Sequence, residues 1–212
     1  MIAPEGWPFV LIPVCVGAVI WRLGWPWVGG ALIIFGLFAL LFFRDPTRSC
    51  AADPTVACSP ADGKVIKVCP APEEMAQRGL PQQLSIFMSV FNVHVNRAAI
   101  DGELTEYSYN KGRKISAFKD KASLENEQNL SIWEGAAGRI GLKQIAGLVA
   151  RRIVFDHEVG NSVSRGQRIG LIRYGSRVDV FLPADAEILV ALGDTVRAGE
   201  SPIARFSGER TP

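Results

Sequence analysis

Two long apolar runs open the chain and differ from everything that follows. Residues 7–21 and 23–43 contain only hydrophobic residues, Gly and Pro, and Arg22 alone separates them. The second run has 21 residues, enough at about 1.5 Å per helical residue to cross a bilayer core of roughly 30 Å. The first run has 15 residues, which is short for a full span and is compatible with little tilt or a re-entrant segment.

The flanks of these runs favour a membrane anchor over a cleaved signal peptide. No basic stretch precedes the first run, and no small-residue cleavage motif follows the apolar segment. Arg44 and Arg48 follow the second run, which by the positive-inside rule places that end in the cytoplasm. Tryptophans typical of a membrane interface stand at positions 7, 21, 25 and 27. We therefore expect residues 1–45 to form a membrane anchor, a helical hairpin, with residues 46–212 on the cytoplasmic side of the cell membrane.

From residue 46 onward, short apolar–polar alternations are broken by Gly, Pro, Asn and Asp. This spacing predicts a mainly β domain, a β-sandwich or barrel-like fold. A short helix is expected over 72–80, where a Pro, an early Glu pair and a closing Gly coincide, and the polar segment 119–128 is a loop or a helical turn. The predicted strands cover residues 65–69, 84–91, 102–109, 131–135, 140–145, 151–155, 170–174, 178–182 and 187–190.

Composition narrows the classes of function. The net charge is +2, and neither a Lys/Arg-rich arm nor an aromatic RNA-binding signature occurs, which argues against nucleic acid as a partner. The four cysteines form no C-x-x-C pair, and with only two histidines they make no convincing zinc site. We expect small buried or half-buried thiols, as in a reducing compartment, at Cys50, Cys58 and Cys69.

The C-terminal segment suggests an alternative without chemistry. Gly193-Asp194 and Gly199-Glu200 are turn pairs on either side of Val196, a rhythm that resembles the small β-sandwich carriers of biotinyl and lipoyl groups. A membrane-tethered, carrier-like sandwich is therefore one hypothesis. Its weakness is that no lysine stands in an exposed hairpin ready for modification.

Two histidines and one aspartate are candidates for acid–base chemistry. His94 lies in a strand-like run, 87–102, in which Asn92 and Asn96 share its face. His157 stands in the charged, turn-like sequence FDHEVGN and is interpreted as solvated surface. Asp62 occurs in SPADGKV, residues 59–65, where it is either an ordinary turn residue or a functional carboxylate.

Two further segments carry groups suited to an anionic lipid headgroup. Residues 121–127 read KASLENE, and residues 144–154 read QIAGLVARRIV. From residue 139 to 177, eight basic residues stand against two acidic ones, a local positive surface that is either a solvated face or a headgroup site beside the membrane. The candidate substrate-binding residues in these segments are Lys121, Ser123, Asn126, Arg151 and Arg152.

The strand-like stretch LIRYGSRVDVFLP, residues 171–183, contains Gly175-Ser176, two residues that disfavour strands. A bulge or bend would explain them, but a serine hydroxyl can also attack the carbonyl carbon before it. The resulting ester eliminates to dehydroalanine, which hydrolyses to a pyruvoyl group and ammonia. Glycine tolerates the strained backbone and leaves its carbonyl accessible. A base and an orienting carboxylate would activate the serine, and His94 and Asp62 are the candidates.

Together these motifs resemble those of the phosphatidylserine decarboxylase proenzymes, in particular their short bacterial and archaeal branch. The resemblance runs from about Arg44 to the C-terminus and rests on SPADGKV, FMSVFNVHVNRA, KASLENE, QIAGLVARRIV and IRYGSRVDVFLP, in that order. It implies self-cleavage between Gly175 and Ser176 into chains 1–175 and 176–212, with Asp62 and His94 on the self-processing acid and base positions.

One departure from the family pattern concerns the second histidine. Many members of the larger branch carry two histidines three residues apart and Leu-Gly-Ser-Thr at the cleavage site. Here His94 is followed by Arg97, and the site reads Tyr-Gly-Ser-Arg. Either His94 serves both maturation and turnover, or Arg97 takes an electrostatic part.

The resemblance also implies the reaction. A pyruvoyl group derived from Ser176 would form a Schiff base with the serine amine of phosphatidylserine in the membrane and accept electrons as CO2 leaves, producing phosphatidylethanolamine. Neither a metal nor pyridoxal phosphate is then expected. The two chains of the proenzyme would stay together, and a homo-oligomer is compatible with the sequence. Besides the carrier, a self-processing hydrolase that keeps Ser176 as its nucleophile is an alternative.

Overall fold

A computed structural model describes residues 1–50, 53–112, 126–147, 152–173 and 175–207. The chain divides into two compact units, Met1–Thr47 and Arg48–Pro212. Each unit is described by itself below. The predicted boundary between residues 45 and 46 stays a prediction.

The first unit is a hairpin of two helices. A short 3-10 turn, Pro4–Gly6, leads into helix α1 (Trp7–Arg22), and helix α2 follows over Pro26–Phe42. Gly24, at φ +92°, makes the turn between them, and Pro26 begins α2 at a position where its missing N–H is not needed. The two ends meet, since Ile2 and Arg44 form an antiparallel bridge and Ala3 N–H donates to Phe43 O at 2.8 Å.

Glycines let the two helices approach closely. A Cβ added to Gly29 would lie 2.5 Å from the Gly17 carbonyl oxygen, and one added to Gly36 would lie 2.6 Å from a Val14 methyl carbon. Close backbone approach through small residues is a common way for apolar helices to associate. The outward faces stay apolar: Trp27 is 90% exposed and Ile34 68%.

The helix lengths reverse the expectation from the sequence. The segment Pro4–Arg22, 19 residues, is the helix of the described chain long and apolar enough to cross a membrane, whereas α2 has 17 residues. The expectation that the first run is short for a full span was wrong. The turn at Gly24 and the start at Pro26 remove three residues from the second run, and the 3-10 turn extends the first.

The second unit is mainly β, which confirms the predicted class. A short helix, α3 (Glu73–Gln77), lies within the predicted stretch 72–80. The strands are β1 (Val56–Cys58), β2 (Gly63–Pro70), β3 (Gln82–Met88), β4 (Val95–Arg97), β5 (Gly102–Asn110), β6 (Gln128–Gly135), β7 (Gly138–Ala146), β8 (Ile153–Phe155), β9 (Ser162–Val163), β10 (Arg168–Ile172), β11 (Ser176–Leu182), β12 (Glu187–Ile188), β13 (Thr195–Val196) and β14 (Pro202–Arg205).

These strands form three antiparallel sheets. The large sheet has eight strands in the order β13-β2-β3-β11-β7-β6-β5-β9, and the small sheets are β1-β14-β12 and β4-β10-β8. No sheet closes within the described part of the chain, so the barrel-like form of the prediction was wrong. The outermost strands of the large sheet, β13 and β9, have only two residues each and cannot carry the pairing around a barrel.

The large sheet has two distinct faces. On β11, Ser176, Val178 and Val180 point to the inner face, where Val178 and Val180 join the main hydrophobic core. Arg177 and Asp179 point to the opposite, outer face, and both are 1% exposed. Burial of each large aliphatic side chain in the core contributes about 1.5–3 kcal/mol, so the inner face holds the domain together around Ser176.

Cysteine pairing differs from the expectation. Cys50 and Cys58 form a disulfide with their Cα atoms 6.3 Å apart, whereas Cys15 and Cys69 are free thiols. The expectation of thiols at Cys50 and Cys58 was wrong. The eight-residue separation of the two cysteines does not show that the chain returns residue 50 to the end of strand β1.

Candidate active site

Gly175 and Ser176 lie where the chain passes from one sheet to another. Strand β10 belongs to a small sheet and ends at Ile172, and β11 begins at Ser176 in the centre of the large sheet. Gly175 has φ +63°, a conformation that L side chains rarely adopt. The sequence predicted two strands here, 170–174 and 178–182, whereas in the structure β10 already ends at Ile172 and β11 already begins at Ser176.

Neighbouring strands hold Ser176 firmly. It pairs with Met88 on β3 and with Ala146 on β7, and the pairing continues along β11 to Leu182 on the β3 side. Ser176 is fully buried. Its hydroxyl donates to Met88 Sδ at 3.2 Å, and a thioether is only a weak acceptor. The hydroxyl is therefore held by a partner that it can leave at little cost.

His94 faces the bond predicted to break. The Gly175 N–H donates to His94 Nε2 at 3.4 Å, and His94 Nδ1 lies 3.0 Å from the Asn92 carbonyl oxygen. A carbonyl can only accept, so these two contacts assign the proton to Nδ1 and leave the lone pair of Nε2 towards Gly175. The fully buried imidazole is thus oriented as a base beside this peptide.

A turn before His94 sets its position and corrects the predicted strand 84–91. Strand β3 ends at Met88, because Asn92 Oδ1 accepts both the Ser89 N–H at 2.8 Å and the Ser89 hydroxyl at 2.7 Å. The sequence pattern had suggested that Asn92 and His94 lie in a strand, but in the structure neither residue does. Chain reversal at this turn brings the imidazole back over the start of β11.

Asp62 lies in a different set of contacts from His94. Its Oδ1 accepts the Ala198 N–H at 2.7 Å, and its Oδ2 is 3.1 Å from Arg48 Nη2. Arg48 also pairs with Glu200 at 2.9 Å. The structure thus brings His94 to Gly175 and Asp62 to the 198–200 turn, and the carboxylate is not the hydrogen-bond partner of this imidazole. The catalytic role of Asp62 stays a prediction.

The candidate substrate-binding residues are spread over several places. Arg97 is 9% exposed and donates to Gly166 O at 2.9 Å, on the side of the Asp62 cluster. Asn126 is 1% exposed and donates to Ala146 O at 2.7 Å, next to the strand partner of Ser176. Arg152 lies on the surface. The candidates outside the described residues are Lys121, Ser123 and Arg151.

Sequence reasoning missed several residues of this site. Arg48 was interpreted only as a topology signal, and it makes the buried ion pair with Asp62. Met88, Asn96 and Gln144 form a chain of contacts from Ser176: Asn96 Nδ2 lies 3.7 Å from Met88 Sδ, and Gln144 Nε2 donates to Asn96 Oδ1 at 2.7 Å. Polar residues at inward positions of predicted strands were the available signal.

His157 is not the solvated residue that its charged neighbours suggested. Its ring lies 5.8 Å from the Trp133 ring and 5.8 Å from the Phe155 ring, so aromatic side chains partly cover it. Phe155 is only two residues away in sequence, but Trp133 lies on β6, and its approach to His157 depends on tertiary packing that local sequence cannot show. In the described chain no group of three or more His, Cys, Asp or Glu side chains is arranged to hold a metal.

A buried serine thus follows a glycine in the left-handed conformation, with an imidazole nitrogen beside the same peptide, an arrangement suited to attack of the hydroxyl on the preceding carbonyl. The phosphatidylserine decarboxylase family model matches residues 35–204 of this chain. A phosphatidylserine decarboxylase proenzyme of Magnetococcus marinus is 43% identical over 100% of this chain and 98% of its own length. The proenzyme of Syntrophotalea carbinolica is 46% identical over 94% of each chain, and that of Cupriavidus pinatubonensis 44% over 97% and 95%. The chain belongs to the phosphatidylserine decarboxylase family.

Proposed function

We propose that this chain is a self-cleaving, pyruvoyl-dependent enzyme that decarboxylates phosphatidylserine to phosphatidylethanolamine. The observation that carries the proposal is the approach of His94 Nε2 to the Gly175 N–H, 3.4 Å away, at the start of β11 in a chain of this family. Family membership favours this function over a carrier or a hydrolase that keeps Ser176 as its nucleophile.

Self-cleavage begins at the Ser176 hydroxyl. A change of its rotamer turns the hydroxyl from Met88 towards the imidazole, and His94 Nε2 takes the proton as Oγ attacks the Gly175 carbonyl carbon. The C–N bond between the two residues breaks, and an ester joins them. Loss of the Ser176 α-proton then expels the Gly175 carboxylate, and hydrolysis of the dehydroalanine left behind releases ammonia and creates the pyruvoyl end.

The surroundings of Ser176 fit such a group. The new end would be held by pairing of β11 with β3 and β7 on both sides, at a position that is buried in the uncut chain. When formed, the group supplies a carbonyl that accepts the electron pair left by CO2. His94 would then hold a proton on Nε2 and return it to the carbon that lost CO2. Its bond to Asn92 O keeps the ring in the same orientation for both steps.

The cluster around Asp62 supports a second role after the cut. Asp62 and Arg48 belong to the predicted large chain, and their partners Ala198 and Glu200 belong to the predicted small chain. We propose that these contacts keep residues 176–212 attached after cleavage. Because the Arg48 and Asp62 side chains are 9% and 10% exposed, their pair is shielded from solvent better than a surface pair would be.

Exposed apolar side chains in both units of the chain support a lipid as the substrate. Phe91, on the turn that leads to His94, is 68% exposed, and the helical hairpin also presents large apolar side chains outward. We propose that residues 1–45 anchor the protein in the cell membrane and that residues 46–212 form the decarboxylase domain. The rim of the site could then take phosphatidylserine directly from the bilayer.

We place the decarboxylase domain on the cytoplasmic side, as Arg44 at the end of the hairpin favours. The Cys50–Cys58 disulfide points the other way, since disulfides are rare in reducing compartments. Protease added to sealed inside-out membrane vesicles should digest the domain, and right-side-out vesicles should protect it. Protection in the inside-out vesicles would reject the cytoplasmic assignment.

Intact mass and product analysis test the function together. Purified protein should show two chains, ending at Gly175 and beginning at a pyruvoyl group in place of Ser176, and should convert phosphatidylserine in mixed micelles to phosphatidylethanolamine. Ser176→Ala should remain one 23.0 kDa chain without activity. A free serine amine at residue 176 would support the hydrolase alternative, and two pyruvoyl-terminated chains without decarboxylation would reject the proposed substrate.

A further inference from the structure

Near Ser176, the inner face of the large sheet carries two buried amide side chains with unpaired polar atoms. Gln144 on β7 and Asn129 on β6 are each 1% exposed. Within the described chain, Gln144 Oε1 and both Asn129 side-chain atoms, Oδ1 and Nδ2, have no hydrogen-bond partner. Buried polar groups are normally paired, because leaving them unpaired costs stability. Such atoms near Ser176 are therefore candidates to bind a ligand.

Strand register places both amides along a line leading away from Ser176. Ala146 is the β7 partner of Ser176, Gln144 lies two residues further on the same face, and Asn129 is the partner of Gln144 on β6. Strands lie about 4.8 Å apart, and two residues advance by about 6.8 Å. A ligand that begins at Ser176 and extends across the sheet therefore meets Gln144 first and Asn129 next.

Gln144 is held in one orientation. Its Nε2 donates to Asn96 Oδ1 at 2.7 Å, and Asn96 in turn contacts Met88 Sδ, the acceptor of the Ser176 hydroxyl. This chain of contacts uses the donor end of the Gln144 amide and leaves its acceptor end, Oε1, open. The same network therefore connects the open acceptor to the reactive serine.

Tyr107 on β5 borders Asn129 on the side away from Ser176. It is 39% exposed, so this end of the line is partly open to solvent. Burial raises the pKa of the Tyr107 hydroxyl and outweighs the lowering effect of the neighbouring Asn129 amide. Tyr107 is thus uncharged near neutral pH and does not repel an anionic ligand.

We propose that Gln144 and Asn129 form an amide subsite for the polar headgroup of the lipid substrate, an inference that rests on the proposed function. Asn129 Nδ2 can donate to a carboxylate or phosphate oxygen, and the two amide oxygens can accept from the ammonium group. Neutral donors suit this reaction, because a full positive charge would stabilise the substrate carboxylate more than the transition state in which that charge departs.

Asn129→Leu tests the subsite, with Gln128→Leu as a matched control. Gln128 is the preceding residue on β6, is 8% exposed and also has an unpaired amide oxygen, but it points to the outer face, away from Ser176. We expect Asn129→Leu to cleave itself normally, to unfold at the same or a higher temperature, and to show a KM for phosphatidylserine raised about tenfold, the loss of one hydrogen bond. Gln128→Leu should keep the wild-type KM.

Short-chain phosphatidylserine separates headgroup binding from membrane docking. The rise in KM should persist with a dihexanoyl substrate in solution, since the subsite contacts the headgroup. If Asn129→Leu does not fold, Asn129→Ala removes the same amide and leaves room for water. A KM within twofold of wild type in the folded variant, or an equal rise in Gln128→Leu, overturns the subsite. Wild-type protein that forms no phosphatidylethanolamine would instead overturn the proposed function.

Discussion

The two faces of strand β11 bury polar groups of opposite kinds. On the outer face, the Arg177 guanidinium donates twice to Asp179, at 2.6 and 2.8 Å, so that this pair is satisfied within the sheet. On the inner face, as far as the described residues show, Ser176 donates only to a thioether, and the neighbouring amides of Gln144 and Asn129 keep atoms with no partner.

This difference separates a structural use of polarity from a chemical one. A buried ion pair that satisfies its own hydrogen bonds holds the strand and leaves nothing for a ligand. Groups that are buried but weakly bonded cost stability, and they are ready to form new contacts when the reacting atoms change. The seven residues of β11 carry both kinds of group because their side chains alternate between the two faces.

The largest effect is expected at His94 on the inner face. His94→Gln keeps a polar side chain but removes the base, so self-cleavage should slow by about 10²–10⁴-fold. The rate is measured by separation of the two chains over time after synthesis. His157→Gln applies the same substitution to the other histidine and should cleave like wild type. Normal cleavage of His94→Gln would remove His94 from the self-processing role and break the contrast between the faces.

A loss of stability without loss of chemistry is expected on the outer face. Asp179→Ala leaves Arg177 buried without this carboxylate and should lower the free energy of unfolding by about 3–5 kcal/mol. The double variant Arg177→Met, Asp179→Leu should recover most of that loss, because an apolar pair replaces both charges. Urea unfolding in the uncut Ser176→Ala background measures both changes.

The double variant also tests whether the outer face is purely structural. With Ser176 restored, it should still cleave itself and decarboxylate at close to the wild-type rate. A folded double variant that fails to cleave would show that Arg177 takes part in breaking the peptide bond between Gly175 and Ser176. The two faces of β11 would then not have separate uses.

The smallest effect is expected at Lys143, also on the outer face. Burial lowers the pKa of its ammonium group below the ordinary value of 10.5, against the raising effect of Asp179 and Glu74. The unfolded chain then binds more protons than the folded one between the lowered pKa and 10.5, so stability rises with pH in that window. Lys143→Met should raise the unfolding temperature slightly near neutral pH and flatten that rise.

An exposed lysine provides the comparison for this titration. Lys64→Met, on strand β2, makes the same substitution at the surface and should leave the unfolding temperature near neutral pH unchanged. A Lys143→Met variant that keeps the same alkaline rise as the parent would mean that another group causes it.

Long alternating segments were predictable, and short ones were not. Strands β5 and β7, nine residues each, follow the predicted ranges closely because local alternation alone selects their buried face. Strands β9 and β13 have two residues each, too few to produce a pattern, and exist only because a partner strand is present. The predicted strand 84–91 extended too far because side-chain bonds to Asn92, not hydrophobicity, end β3.

Some residues of the candidate site could likewise be predicted from sequence, and others could not. Residue type and motif singled out Asp62, His94 and Ser176, and they predicted that the bond between Gly175 and Ser176 breaks. The partners of these residues were not: Arg48 and Ala198 bind Asp62 from positions 14 and 136 residues away. Gln144 and Asn129 looked like ordinary strand residues until their register with Ser176 was known.

By itself, the sequence determined the apolar hairpin, the mainly β domain and the chemical types gathered for self-cleavage, because composition, periodicity and motif order are local properties. Only the tertiary structure decided which face of β11 Ser176 shares with the hydrophobic core, which tautomer His94 presents to Gly175 and where the Asp62 carboxylate binds. Those outcomes depend on pairing between distant strands, and a change of register by one residue would exchange Ser176 for Arg177 on the inner face.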